Sequence, residues 1–199
     1  MLDFQEFFNA CSGLWKTERI YHDMQNGEIE RSYTEFQVNP ISDDEKDKLL
    51  MPNKDLEIRP TPEAFPGFSI AFDTVSETGE RVSMSLKALF VPDTAVIQSN
   101  SPKLPIPTAA EVDQDALRGF YLRDQGYSEG GAIAGRFTYQ PMRQTLEMTT
   151  HYRRSVAVDQ MRFISSNVRL RTIVTYQRPE EGHPPTAMTL IGFGVERKS

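Results

Sequence analysis

Short runs in which apolar and polar residues alternate dominate this chain. Apolar side chains occupy every second position between residues 82 and 90, and this period recurs at 146–152, 168–176 and 187–195. Because successive side chains of a strand point to opposite faces, the period predicts half-buried β-strands. The runs between 133 and 196 follow one another at hairpin spacing without a helix between them. They predict an antiparallel meander, and a meander of this length tends to close into a barrel because closure removes the sheet edges.

Three segments carry helical signals instead. At the start of the chain Asp3 is a suitable N-cap for an apolar stripe that ends with Cys11. A second helix is predicted at 42–50, which opens with a capping-box sequence, and a third from 113 to 125. Because Cys11 falls on the apolar stripe, we interpret it as a small buried hydrophobe rather than a reactive thiol.

Two proline-rich segments, 51–67 and 92–110, lack either period. Neither is flanked by enough sequence for a second complete core, so both are interpreted as surface loops rather than domain linkers. With 199 residues in all, the chain is predicted to form one β-barrel domain spanning 1–199.

Composition excludes several classes of function. The 22 Lys and Arg residues against 28 Asp and Glu give a net charge of -6, which argues against an unselective nucleic-acid binder. One cysteine and three widely separated histidines make a metal centre improbable. The sequence contains no G-x-G-x-x-G, Walker A or G-x-S-x-G motif. It also has no apolar run of about 18 residues and no secretory signal pattern, so neither membrane insertion nor export is expected.

Candidate ligand-binding residues occur first in the segment 15–22. As a strand, it places Trp15, Arg19 and Tyr21 on one face. Two aromatic rings beside an arginine suit a flat anionic ligand, because the rings stack on its plane while the guanidinium binds a carboxylate. The competing interpretation is that Trp15 belongs to the core and Arg19 pairs with a nearby acid.

A second candidate is the pair Arg169 and Arg171, two positions apart on one strand. Together with Arg19 they could bind two separate carboxylates. Solvated Arg-x-Arg pairs on strands are common, so the alternative is an exposed pair without a ligand.

The order of several motifs resembles the S/U-type phycobiliprotein lyases of the CpcS/CpeS family. Residues 13–22 match the family pattern G-x-W-x-x-x-R-x-x-H, and 122–127 reads L-R-D-Q-G-Y. These are followed by A-G-R-F at 134–137, by Tyr152, and by N-V-R-L-R at 167–171, which is close to the family's N-L-R-[LF]-R.

The resemblance implies a mostly β fold: one antiparallel β-barrel like that of lipocalins and fatty-acid-binding proteins (the calycin type), with a few short helices. It implies that the protein binds a phycobilin, either phycocyanobilin or phycoerythrobilin, and assists its attachment to a cysteine of a phycobiliprotein subunit. No metal or nucleotide is implied. The expected location is the cyanobacterial cytoplasm or the plastid stroma.

The resemblance also implies roles for individual residues. Arg19, His22 and Arg171 are the expected catalytic residues, and the expected bilin-binding residues are Trp15, Tyr21, Phe72, Asp73, Tyr152 and Arg169. In that scheme the arginines hold the propionates, the rings contact the pigment, and Asp73 accepts bonds from the pyrrole N–H groups. His22 positions a propionate or transfers a proton.

Two departures from the family pattern bear on activity. Phe72 stands where members carry tryptophan before aspartate, and 159–163 reads D-Q-M-R-F instead of E-R-x-W-F. The changes suit U-type members, which the resemblance implies act with an S-type partner; a homodimer is the other option. Two further hypotheses remain: a carrier of a lipid or another small carboxylate without lyase activity, and a pigment-free subunit that completes a heterodimer.

Overall fold

A computed structural model describes residues 1–59, 65–100, 112–127, 129–180 and 182–199. Within these ranges, strands account for most of the regular structure. The elements in chain order are α1 (Phe4–Cys11), β1 (Gly13–Asp23), β2 (Ile29–Pro40), α2 (Asp43–Leu50), β3 (Leu56–Ile58), β4 (Gly67–Ser76), β5 (Arg81–Pro92), β6 (Val96–Ser99), β7 (Leu117–Arg123), β8 (Ile133–Gln140), β9 (Thr145–His151), β10 (Ser155–Ser165), β11 (Val168–Gln177) and β12 (Met188–Lys198).

Ten of these strands form a closed antiparallel barrel in the order β1-β12-β11-β10-β9-β8-β7-β5-β4-β2. The first and last strands close it, with Trp15 opposite Lys198 and Asp23 opposite Leu190. Strands β8 to β12 are the predicted meander, each paired with the next in sequence. The predicted fold class, a mostly β antiparallel barrel with short helices, is confirmed.

Helix α1 closes one end of the barrel. Asp3 caps it through a reciprocal capping box with Glu6, as its sequence predicts. Phe7, Phe8 and Cys11 are buried and pack on inward-facing side chains of the barrel. We call this the closed end, and its core residues are Phe7, Phe8, Cys11, Trp15, Phe36, Val38, Leu86, Ala88, Phe90, Tyr121, Phe137, Tyr139, Leu146, Met148, Met161 and Phe163.

The predicted helix at 113–125 is wrong, because most of it is strand β7. Strand β7 is buried on both faces. Tyr121 belongs to the barrel core, while Phe120 and Leu122 lie in a second apolar cluster with Ile41 and Leu49. A strand covered on both sides is a continuous apolar run without period-two alternation, and such a run is easily mistaken for a helix.

The two proline-rich segments predicted to be surface loops contain some regular structure. Residues 56–58 and 96–99 pair as a small two-stranded antiparallel sheet, β3 with β6, which the sequence analysis did not predict. The rest of the two proline-rich segments includes 60–64 and 101–110, which lie outside the described residues. Helix α2 at 43–50 agrees with the prediction, and Ser42 and Glu45 form its capping box.

Candidate functional site

A cavity of about 510 Å³ lies at the opposite end of the barrel from α1. Its wall combines aromatic, arginine and small polar side chains from eight of the strands. The lining residues are Arg19, Tyr21, Ile70, Phe72, Thr74, Val82, Met84, Tyr121, Arg123, Tyr127, Met148, Thr150, Tyr152, Ser155, Ala157, Asp159, Arg171, Ile173, Thr175 and Leu190. We call this the open end.

Strict alternation decides which side chains of β11 reach the interior. Arg169 and Arg171 point inward and are 2% and 9% exposed, whereas Leu170 between them is 39% exposed. The alternative of a solvated arginine pair is therefore wrong. Strand β11 places its charged face inside the barrel and its apolar face outside, the reverse of the usual hydrophobic pattern.

Glu196 on β12 explains how these arginines can be buried. Its carboxylate is fully buried, and its Oε2 accepts a hydrogen bond from Nε of Arg169 at 2.6 Å. Its Oε1 lies 3.4 Å from Nη2 of Arg19 and 3.9 Å from Nη1 of Arg171. Burial alone would raise the pKa of Glu196, but Arg169, Arg171 and Arg19 together lower it below its ordinary value. We call Glu196 with these three arginines the ionic floor of the cavity.

Asp159 is the acidic side chain in the cavity wall. One carboxylate oxygen, Oδ2, accepts a hydrogen bond from Nη2 of Arg171. The other, Oδ1, is buried and has no hydrogen-bond partner among the described residues. A buried acceptor of this kind is suited to bind an N–H donor of a ligand.

Arg123 brings a further cation into the same cavity. Its guanidinium carbon lies 5.3 Å, 4.9 Å and 5.8 Å from the ring centroids of Tyr121, Tyr127 and Tyr152. Nη2 donates a hydrogen bond of 2.5 Å to the Tyr152 hydroxyl. The ring of Tyr127 also lies 6.2 Å from that of Phe72, so aromatic side chains face each other across the open end.

Five of the nine residues singled out from the sequence line the cavity: Arg19, Tyr21, Phe72, Tyr152 and Arg171. Arg19 also forms an ion pair with a buried acid, as the competing interpretation expected. It therefore has both roles, because it lies in the cavity wall as well.

Trp15 and Arg169 lie below the cavity rather than in its wall. Trp15 is fully buried, stacks on Phe36 at 6.5 Å and donates its indole N–H to the Cys11 carbonyl at 2.8 Å. The guanidinium carbon of Arg169 is 4.6 Å from the centre of the Trp15 ring. Both side chains therefore form a layer between α1 and the cavity, and the core interpretation of Trp15 agrees with the structure.

His22 and Asp73 do not reach the cavity because the residues before them do. Tyr21 and Phe72 point inward, so the next side chain on each strand points outward. His22 stacks on Phe193 at the outer surface. Asp73 is exposed and accepts a hydrogen bond from the Ser83 hydroxyl. Neither residue therefore lies in the cavity, where its predicted role would require it to be.

Four further side chains line the cavity although the sequence did not mark them as candidate ligand-binding residues: Asp159, Arg123, Tyr121 and Tyr127. Asp159 shares the inward face of β10 with Met161 and Phe163, so the period of that strand could have found it. Arg123 was hidden by the wrong assignment of β7 as a helix.

Two further kinds of feature are missing from the described residues. No group of three or more His, Cys, Asp or Glu side chains there is placed to hold a metal ion. No helix in the same ranges is long and apolar enough to cross a bilayer.

Comparisons with known proteins decide the family. The family model described as "CpeS-like protein" matches residues 3–199. The chain belongs to this family. Chromophore lyase CpcS/CpeS 1 of Synechococcus sp. (strain JA-3-3Ab) is 40% identical over 199 residues, covering 98% of this chain and 96% of that protein. Chromophore lyase CpcS/CpeS of Thermosynechococcus vestitus (strain NIES-2133 / IAM M-273 / BP-1) is 25% identical, covering 87% of this chain and 84% of that protein.

A solved structure has the same fold. The S-type phycobiliprotein lyase CPES from Guillardia theta superposes with a TM-score of 0.67 at 14% identity, over 100% of this chain and 93% of that one. The family resemblance found in the sequence is confirmed, and the relatives' names support the prediction of a lyase.

Proposed function

We propose that this CpeS-like protein binds a linear tetrapyrrole at the open end of its barrel and presents it for covalent attachment to a cysteine of a phycobiliprotein subunit. The observation that carries the proposal is a cavity with aromatic walls and an excess of buried positive charge. The curated relatives are named chromophore lyases, which agrees with this function.

The charge of the site fits a dianionic ligand. The wall and the ionic floor contain four guanidinium groups, those of Arg19, Arg123, Arg169 and Arg171, against the two carboxylates of Asp159 and Glu196 among the described residues. Two positive charges are therefore uncompensated, in a protein whose net charge is -6. A phycobilin carries two propionates, and charge-assisted hydrogen bonds to arginine are the usual way to hold such groups.

In this scheme Arg19 and Arg171 bind one propionate near the floor. Asp159 takes the role first assigned to Asp73, because its buried Oδ1 is placed to accept pyrrole N–H bonds. A carboxylate there also favours the protonated, cationic form of the pigment. Phe72, Tyr21 and the tyrosines of the wall supply flat apolar contact.

The nucleophile comes from the acceptor protein. The described wall of the cavity contains no cysteine, and Cys11 is buried at the closed end, where burial raises the pKa of its thiol. The acceptor thiolate adds to the exocyclic double bond of the bilin, so a C–S bond forms and the thiol proton ends on the pigment, with no leaving group. The barrel contributes by fixing the conformation and the exposed face of the bilin.

Phycocyanobilin and phycoerythrobilin both carry two propionates, so both are candidate substrates. The acceptor subunit and an S-type partner or second copy complete the proposed set of partners. A lipid carrier is the less favoured function, because a single fatty-acid carboxylate would leave one buried positive charge uncompensated.

Pigment titration tests the proposal directly. Arg171→Ala is expected to weaken phycocyanobilin binding by about 1.5–3 kcal/mol, the usual contribution of a hydrogen bond to a charged group. The matched control is Arg162→Ala on the adjacent strand β10, where the side chain is exposed. Absorbance titration of the three proteins measures the affinities, and equal values for all three would contradict the proposed site.

Transfer is tested separately by co-expression with a bilin-producing pathway and an acceptor subunit. We expect pigment on the acceptor that resists denaturation. Transfer only in the presence of a second lyase subunit would identify the chain as one half of a heterodimer, and pigment that stays non-covalent would indicate a carrier.

A further inference from the structure

Arg123 differs from the other cations of the cavity in its surroundings. The guanidinium groups of Arg19, Arg169 and Arg171 all lie within 4 Å of a carboxylate oxygen. No carboxylate among the described residues lies that close to Arg123, although its side chain is only 2% exposed. Its Nε is buried without a hydrogen-bond partner in the same part of the chain.

The tyrosines around Arg123 do not neutralise it. Burial raises the pKa of Tyr121 and of Tyr152 above the ordinary value, so both hydroxyls stay protonated at neutral pH. Their rings offer cation–π contact and the Tyr152 hydroxyl accepts one hydrogen bond. The full positive charge of the guanidinium remains available.

A buried, unpaired cation is costly, so an anion that pairs with Arg123 would relieve this cost. Arg123 also lines the cavity, so an anion that reaches it must be part of the cavity's ligand. The three tyrosine rings around Arg123 offer contact to the apolar framework that carries an organic carboxylate, which a hydrated inorganic ion lacks.

We propose that Arg123, with Tyr121, Tyr127 and Tyr152, forms a second carboxylate subsite, separate from the one at Arg19 and Arg171. This proposal rests on the proposed function. One propionate of the bilin binds at the ionic floor and the other in the tyrosine cage. Two fixed carboxylates at different places in the wall limit the pigment to two orientations, which differ by exchange of the propionates between the subsites.

Esterified pigment separates a direct carboxylate contact from an indirect structural effect. The variants are Arg123→Gln, the charge-preserving Arg123→Lys, and the control Arg118→Gln, which changes an exposed arginine of the same strand β7. Each is titrated with phycocyanobilin and with its dimethyl ester. Arg123→Gln is expected to weaken binding of the diacid at least tenfold and binding of the ester less than threefold.

The other two variants provide the comparison for this result. Arg123→Lys keeps the charge but loses the planar fork, so its loss for the diacid should lie between those of wild type and Arg123→Gln. Arg118→Gln should leave both affinities unchanged. Equal losses for diacid and ester, or no loss in Arg123→Gln, would overturn the subsite while leaving bilin binding intact.

The ligand-free protein gives an independent readout. Because Arg123→Gln removes an unpaired buried charge, its thermal midpoint should equal or exceed that of wild type. A clearly lower midpoint would show that Arg123 supports the fold and would contradict the subsite. Wild-type protein that binds neither form of the pigment would contradict the proposed function itself, an outcome distinct from a loss confined to the variant.

Discussion

The two ends of this barrel differ in what fills them. At the closed end, α1 and the inward side chains form a packed cluster of rings; Phe4, for example, stacks on Phe137 at 5.3 Å. At the open end the wall surrounds a cavity of about 510 Å³ and includes polar and charged groups with unused hydrogen-bonding capacity. The same ten strands thus provide a stable base and a binding site at different depths along one axis.

Arg169 and Arg171 mark the boundary between these ends. They are two residues apart and share the inward face of β11, yet Arg169 contacts Cys11 and the Trp15 ring while Arg171 lines the cavity. Both depend on Glu196. The comparison indicates that substitutions below this boundary should affect stability, and substitutions above it should affect ligand binding.

The largest effect is expected on the free energy of unfolding, in a comparison of one phenylalanine from each end. Phe7→Ala at the closed end should lower the free energy of unfolding by about 3–5 kcal/mol, because it leaves a void in a fully buried cluster. Phe72→Ala in the cavity wall should cost about 1 kcal/mol, since that ring already faces open space, but it should weaken bilin binding. Urea unfolding and pigment titration measure both quantities, and similar stabilities for the two variants would contradict the division into two ends.

The next effect concerns the boundary itself. Glu196→Gln should lower the free energy of unfolding by about 3 kcal/mol, because two buried guanidinium groups and the partly buried one of Arg19 lose their shared counter-charge. Glutamine can still accept a bond from Arg169. The control is Glu35→Gln, which breaks a half-exposed pair with Lys16 and should cost about 1 kcal/mol or less.

Lowering the pH should reduce the difference in the free energy of unfolding between wild type and Glu196→Gln. The pKa of Glu196 is lowered from 4.5 in the folded protein, so its stabilising contribution is complete above that value and is lost as the pH falls through the lower folded pKa. Urea midpoints measured from pH 7 to pH 3 follow this loss. A gap that stays constant over the whole range would show that the carboxylate charge is not what stabilises the boundary.

The smallest effect is expected at Cys11. Burial raises the pKa of the thiol, and Sγ lies 3.2 Å from Nη1 of Arg169. Native protein should therefore resist thiol reagents until it unfolds, and Cys11→Ala should cost about 1 kcal/mol with pigment transfer unchanged. Loss of transfer in Cys11→Ala, with the fold intact by circular dichroism, would instead indicate that this cysteine takes part in transfer.

Local signals in the sequence predicted much of the fold. The caps of α1 and α2 and the meander from β8 to β12 depend on residues close together in the chain, and their patterns were informative. Strand β7 was missed because it is buried on both faces. The inward orientation of Arg169 and Arg171 depends on Glu196, a partner on another strand, so the period of β11 alone could not reveal it.

The site was harder to predict for the same reason. Alternation and the family motifs together identified Arg19, Tyr21 and Phe72, but depth along the barrel axis depends on strand register and on the position of α1. That depth separates Trp15 and Arg169 from the cavity. His22 and Asp73 could have been excluded from the sequence, because each follows an inward-facing ring.

Closure of the barrel by β1 and β12 has a consequence for how the protein is made. The hydrogen bonds that join these strands connect segments far apart in the sequence, so one edge of β1 is unpaired until β12 has emerged from the ribosome. The same late strand supplies Glu196. Nascent chains therefore carry arginines destined for the interior before the neutralising carboxylate exists, and we expect the barrel to close only after β12 has been synthesised.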